Sequence, residues 1–287
     1  MSLETQIAAL VTAANNLTGA VNGKMTEIDQ KVATATGAVP AQINARLRML
    51  LYVDPVRGSN ANTGASFALA KKTIAGAISE VPSGGFATIY LKEGVAHELT
   101  ADSSVENKTI HIYGFGHIWN DRNSYVEIVS APRVVADGSL AGGGIVLGLK
   151  GFMFFQGIKF STVKFNAEHV GKVNNIYQTA MFKTNISNGV IQMQHCQMDL
   201  RNGAFTYQHS GGSFGKTDLL MRNVLINKID ISGQAFNTGH QHLVGTWGNQ
   251  AIPFSLFGVE MVRQGATTWA ELITQNMTNA LTNLKDA

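Results

Sequence analysis

The chain has 287 residues, room for one or two domains. Only 14% of them are charged, against roughly 25% in ordinary soluble domains, while 45% are apolar, which excludes a disordered, charge-rich chain. A net charge of +3, with no basic cluster beyond Arg46 and Arg48, gives no footprint for nucleic acid.

The first six residues lack the basic start and apolar core of a signal peptide, and no apolar run is long enough to span a membrane. Residues 3–39 carry a heptad, with Ile7, Ala14, Val21, Ile28 and Ala35 at a and Leu3, Leu10, Leu17, Lys24, Lys31 and Ala38 at d. The spacing predicts a helix of roughly 55 Å, weakened at Gly19 and Gly23. Polar and small residues lie opposite the apolar seam, so self-association through Leu3, Ile7, Leu10, Leu17, Val21 and Ile28 is expected. Ile or Val at a with Leu at d favours two strands over three. Pro40 is expected to end this helix. Ile43, Leu47 and Leu50 predict a second, from Ala41 to Leu51, so that residues 1–51 form a helical rod. A turn-rich linker then spans 52–70. Within it, Asn60, Asn62 and Gly64 have the outline of a calcium loop without the acidic ligands, so no metal is expected there.

Ile74, Ile78 and Val81 fall on one face of a predicted helix over 73–81, which Pro82-Ser83-Gly84-Gly85 stops. A strand over 87–91 follows, then Lys92-Glu93-Gly94 as a turn. Next comes Val105 to Gly116, in which Ile110 and Ile112 point inward.

These residues carry a resemblance. Val81-Pro82-x-Gly84-Gly85, Thr88-Ile89-Tyr90-Leu91, Glu93-Gly94 and Asn107-Lys108-Thr109-Ile110-His111-Ile112-x-Gly114-x-Gly116 resemble the opening of pectin-lyase-like right-handed β-helices. With the Tyr52-Val53-Asp54-Pro55 lead-in and the heptad rod, the chain looks like bacteriophage tail fibres and tailspikes. The match is good over about 50–130 and general beyond. It implies a homotrimeric virion component of the tail or baseplate. Its N-terminal rod would attach to other tail or baseplate proteins, and its distal part would meet bacterial surface polysaccharide or lipopolysaccharide. Some members of that family cleave the polysaccharide and others only bind it.

The rest of the chain repeats one pattern, apolar-x-(Gly/His/Asn)-apolar-x-apolar. The copies are Phe155–Phe160, Met193–Met198, Met221–Ile226 and Leu256–Met261, starting 38, 28 and 35 residues apart. Each reads as a bend followed by a strand with two apolar side chains on one face. One unit cannot bury that face alone, but stacked units can. Abundant Gly, with 30 residues, and frequent Asn and Gln suit the corners of such a stack. Asn174, Asn175, Asn185, Asn188, Asn202 and Asn223 lie at or near them, and satisfying turn backbone is their expected role. The fold class expected is therefore mainly β: a right-handed parallel β-helix over about 91–263 within a 71–265 body that includes the capping helix. Five to seven coils are expected. Cys196, the single cysteine, falls at an inward repeat position and is expected to be a buried, inert thiol.

Thr268 to Glu271 fits a capping box that would open a C-terminal helix over 266–287. Its apolar stripe, Trp269, Leu272, Ile273, Met277, Leu281 and Leu284, could close the far end of the stack or pair with copies of itself; the second is preferred. Three insertions would project from the stack: Gly114–Tyr125, Thr206–Thr217 and Ser232–Pro253. They place Trp119, Tyr207, His240, His242 and Trp247 as receptor contacts.

Catalysis finds little support. Glycoside hydrolysis needs two carboxyls about 5–10 Å apart. Asp199 and Asp230 follow repeat strands and could stack as neighbours, with Arg201 and Lys228 near for a lyase. No third acid and no Trp platform accompanies them. His240 and His242 are the first place to look for a metal, but no third ligand has the right spacing. No cofactor is expected. The leading expectation is a non-enzymatic fibre that adsorbs to host cells. A structural baseplate connector comes next, and a polysaccharide depolymerase last.

Overall fold

The computed structural model describes residues 2–184, 189–208, 217–246, 254–274, 277–278 and 280–286. The chain divides into two compact units, 1–46 and 47–287.

The first unit is one helix, α1 (Leu3–Leu47). Its seam is exposed on the helix: Leu3 is 72% exposed, Leu10 71% and Leu17 66%, and Ile7, Val21 and Ile28 are also exposed. Glu27 holds both Lys24 and Lys31 at 2.7 Å, bracing the helix surface at the i−3 and i+4 positions. The predicted stop at Pro40 does not occur. The helix runs through Pro40 to Leu47.

The second unit is mainly β, with a large parallel sheet. Its strands are β1 (Arg48–Val53), β2 (Phe86–Leu91), β3 (His97–Leu99), β4 (Ser103–Val105), β5 (Thr109–Gly114), β6 (Val126–Ser130), β7 (Pro132–Val134), β8 (Leu140–Gly142) and β9 (Ile145–Leu147). They continue as β10 (Phe152–Gln156), β11 (Ile158–Ser161), β12 (Phe182–Thr184), β13 (Gly189–Leu200), β14 (Thr206–Gln208), β15 (Thr217–Lys228), β16 (Val244–Thr246), β17 (Phe254–Val259), β18 (Val262–Gln264) and β19 (Ala280–Thr282). Among the described residues, β7 and β8 pair antiparallel and every other pair is parallel.

The large sheet has two runs. One goes β1–β2–β5–β10–β13–β15–β17–β19, the other β3–β6–β11–β13–β15–β18, and both share the long strands β13 and β15. The runs meet at a bend line. Gly157, His195, Asn223 and Glu260 occupy matching register positions and all have left-handed φ, +66°, +49°, +51° and +56°. A smaller sheet runs β4–β9–β12–β14–β16.

Alternation turns one face of each run inward. Ile89, Ile112, Phe155, Met193 and Met221 stand in one register row, and Val126, Ile158, Cys196 and Val224 in another, all buried. Phe155 meets Phe160 at 4.9 Å and Phe182 at 5.6 Å between ring centres, joining both runs to the smaller sheet. Each such ring contributes about 1.5–3 kcal/mol by leaving water. Cys196 lies in this core and burial pushes its thiol up to about 12, so it is the inert residue the repeat predicted.

At the start of the unit, α2 (Ile74–Glu80) packs against β1, β3 and β4. Thr73 caps it by accepting from the Gly76 amide, and Ile74, Ile78 and Val81 are buried, as the spacing predicted, with Ala77 buried beside them. The span read as a linker is part of the body. Residues 48–51 form the start of β1 rather than a helix end, and Val53, Asp54, Ala70 and Lys71 are buried. Asn60 Oδ1 accepts from the Lys72 and Thr73 amides, so the calcium-like loop is a brace for α2.

The C-terminal helix is corrected to a single turn, α4 (Ala270–Ile273), followed by β19 on the edge of β17. Thr274, Thr278, Thr282 and Asn283 are weak helix formers, and an open β17 edge offers its backbone a partner. Trp269, Leu272 and Ile273 are buried in the main core, with Met277 and Leu284 packed against it and Leu281 exposed. The segment therefore covers the core rather than pairing with copies of itself. The Asp286 carboxylate pins it, accepting from the Trp269 amide at 2.9 Å and pairing with Arg263 at 3.0 Å.

Candidate functional site

After β5 the chain leaves the sheet and crosses the bend line. His117 lies against Gly157, where a Cβ would sit 2.3 Å from the imidazole Cγ. Trp119 lies over His195 with ring centres 4.5 Å apart. Asn223 Nδ2 donates to Asn120 Oδ1 at 3.1 Å. Three residues of this strap thus meet three successive bend residues. The strap also braces itself: Ser124 Oγ accepts from the Ile118 amide at 2.7 Å and donates to the Asp121 carbonyl at 2.7 Å. Trp119 remains 60% exposed, an aromatic face fixed on a rigid support. Burial pushes the His195 imidazole below its usual range, and His117 and Arg222 push the same way, so His195 is neutral beneath the ring at pH 7.

The outer face of the second run carries a polar ladder. Lys159 Nζ lies 3.3 Å from Glu127 Oε1 and 3.3 Å from Asp199 Oδ2. Ser161 Oγ donates to Glu127 at 2.6 Å. Gln197 and Asn227 donate to Asp199 Oδ1 at 3.0 and 2.8 Å. Burial opposes the charge on Asp199, but the bonds from Asn227 and Gln197 and the nearby Lys159 outweigh it, and the carboxyl is held below its usual range.

The other predicted residues are not brought together. Asp230 does not stack on Asp199, whose register partner is Asn227; it lies in an exposed loop and caps the Ser232 amide. Tyr207 is on β14, fully buried against Tyr177, and cannot be a receptor contact. His240 and His242 are partly buried. Burial pushes His240 down, and burial, His240 and Lys228 push His242 down to about 4. Their backbones tie loops together, with His240 donating to the Asn202 carbonyl and His242 accepting from Phe205. Among the described residues no group of three or more His, Cys, Asp or Glu could hold a metal. Asn175 caps the short helix α3 (Ile176–Thr179), and Asn202 is buried with its amide bonded to the Phe165 and Thr238 backbones, as turn residues should be. Asn185, Asn188 and Trp247 lie outside the described residues.

Sequence reasoning missed His117, His195 and Lys159. For Lys159 and His195 the signal was register: Lys159 is opposite Glu127, and His195 opposite Gly157, only once strands are paired. Comparison with family models, with curated proteins and with solved structures returns no match. No described helix is long and apolar enough to cross a membrane.

Proposed function

We propose that the chain is a self-associating virion fibre of the bacteriophage tail or baseplate, whose second unit is a right-handed parallel β-helix contacting the host surface. The observation that carries this reading is the uncovered heptad seam of α1, whose leucines have no use for exposure except against other copies. The strap supports the contact role, because Trp119 is exposed yet fixed on His195. The mass of the purified full chain in solution tests self-association. Three copies are expected, and a monomer at micromolar concentration would sink the reading. Trp119→Ala should lower binding to host cells or lipopolysaccharide at least tenfold with the melting temperature unchanged.

One observation favours a second reading, a polysaccharide hydrolase. Glu127 and Asp199 each lie 3.3 Å from the same lysine nitrogen, which makes them neighbouring acids, as a two-carboxylate site requires. Against it, Lys159 stands between the two acids and contacts both, whereas one of the pair must keep its proton as general acid. Release of reducing ends from host polysaccharide, abolished by Glu127→Gln, would establish it.

A further inference from the structure

We propose that the cavity between the start of α2 and β3 binds a small neutral ring that carries one O–H or N–H donor, a molecule the size of phenol or indole. The site owes nothing to self-association or to contact with a host surface, since every group that forms it belongs to the body of one chain.

The histidine in its wall is out of keeping with its register row. β3 alternates, so His97 and Leu99 turn inward and Glu98 outward. His97 heads a row continued by Ile128, Phe160, Met198 and Ile226, all buried. An imidazole only 2% exposed thus takes an end position in a row of apolar side chains. A buried polar group needs a partner for each of its polar atoms. One nitrogen has it: Nε2 lies 2.9 Å from the Lys92 carbonyl, which only accepts, so Nε2 carries the hydrogen. The other nitrogen, Nδ1, has no partner among the described residues. Burial pushes the imidazole below its usual range, outweighing the Lys92 carbonyl and Asp54, so the ring is neutral at pH 7 and Nδ1 offers a lone pair.

The space beside the ring fixes the size and character of the missing partner. The cavity holds about 220 Å³. Pro55 and Ile74 wall it on the cap side, Ala96 and His97 on the β3 side. A water takes only about 30 Å³ and needs two or more polar partners, whereas an apolar cavity of roughly 150 Å³ takes benzene. This one has room for a ring and a short polar arm. Among its described lining residues, His97 Nδ1 is the buried side-chain atom left unsatisfied. At the rim stand one exposed cation, Lys72, and one exposed anion, Glu98. Together they favour neither an anion nor a cation, so the occupant is neutral. An apolar body with a single donor fits: the body leaves water for the walls and the donor reaches Nδ1. Bound there, it ties α2 to β3 and fastens the cap to the start of the second run.

Calorimetric titration of the full chain with phenol and with toluene, which has the same shape and no donor, tests this. Phenol should bind roughly three- to tenfold more tightly, the worth of one net hydrogen bond, although toluene leaves water more readily. Phenol should also shift the Nδ1 nitrogen resonance of His97 and slow hydrogen exchange of the α2 amides. Toluene should leave that resonance where it is. His97→Phe keeps a ring in the wall and removes the lone pair, so the preference should reverse. That change also strips the Lys92 carbonyl of its donor, so a second variant is needed. Ala96 is exposed, and Ala96→Trp should close the cavity and abolish binding with the melting temperature unchanged. Three results overturn the proposal: neither probe binds at millimolar concentration, toluene binds the native chain as tightly as phenol, or Ala96→Trp binds phenol as the native chain does.

Discussion

The helix and the body use apolar residues in opposite ways. In α1 the leucines and isoleucines at heptad positions are exposed on the helix surface. In the body the residues of the same kind stand in register rows and are fully buried. The contrast separates two sources of stability. The body is held by burial within one chain, whereas the helix rests on its own backbone bonds and surface pairs and buries none of its seam.

The strongest way to break this contrast is to remove a core ring and a seam leucine in parallel. Phe155→Ala should cost roughly 3–5 kcal/mol in denaturant unfolding, because it empties the junction between both runs and the smaller sheet. Leu10→Ala should leave the unfolding of the body where it is and lower the oligomer mass measured by sedimentation. If Leu10→Ala destabilised the body as much as Phe155→Ala, the two units would share one source of stability.

Acid should separate them next. Residues 1–46 contain no histidine, whereas the body holds His242, with its imidazole pushed down to about 4 by burial, His240 and Lys228. The unfolded chain binds that proton near pH 6.5 and the folded chain does not. Stability from this group is therefore complete above pH 6.5 and drains away as pH falls toward 4, by on the order of 3 kcal/mol at most. His195 and His240 are pushed the same way and add to it. Melting followed at pH 7 and pH 4.5 checks this. His242→Gln should flatten the pH dependence.

Much of this contrast was legible in the residues, and where it was not the reason is specific. The first three repeat copies pair as their spacing requires, with Phe155 opposite Met193 and Met193 opposite Met221. The fourth is displaced by two residues: Gly258, not Leu256, lies opposite Met221, and Glu260 takes the bend. A shift of two keeps every side chain on its face, so apolar alternation cannot detect it. At the other end, Ile43, Leu47 and Leu50 read equally well as helix, and only pairing with β2 makes Arg48–Val53 a strand. The candidate site was half visible. Trp119 stood out in an insertion, but His195 beneath it comes from a distant strand and reaches it only through register.

Two carboxylates on the body sharpen the contrast between built and bland surface. Asp199→Asn should cost roughly 1–3 kcal/mol, because it leaves Lys159 without one of its two acids and upsets the bonds from Gln197 and Asn227. Asp230→Asn removes an exposed cap and should change stability by less than about 0.5 kcal/mol. Equal effects would mean that the ladder is ordinary surface.

The smallest effects set helix against body residue by residue. Glycine is needed where φ is positive or space is absent, and is wasteful elsewhere. In α1, Gly19 lies in regular helix with nothing within 4 Å of where its Cβ would be, so Gly19→Ala should favour the helix by about 1 kcal/mol. On the bend line the same logic reverses. Glu260 holds φ of +56° with only a loose 3.8 Å contact to Arg222 to show for it, so Glu260→Gly should gain a few tenths of a kcal/mol, up to about 1, as left-handed strain is relieved and chain entropy takes part of it back. Gly157 shares that backbone but lies under His117, so Gly157→Ala must displace the strap as well as strain the bend, and both melting temperature and Trp119 fluorescence should register it. If Glu260→Gly destabilised instead, the bend at that position would depend on its side chain, and the four left-handed residues would not be equivalent corners of one repeating unit.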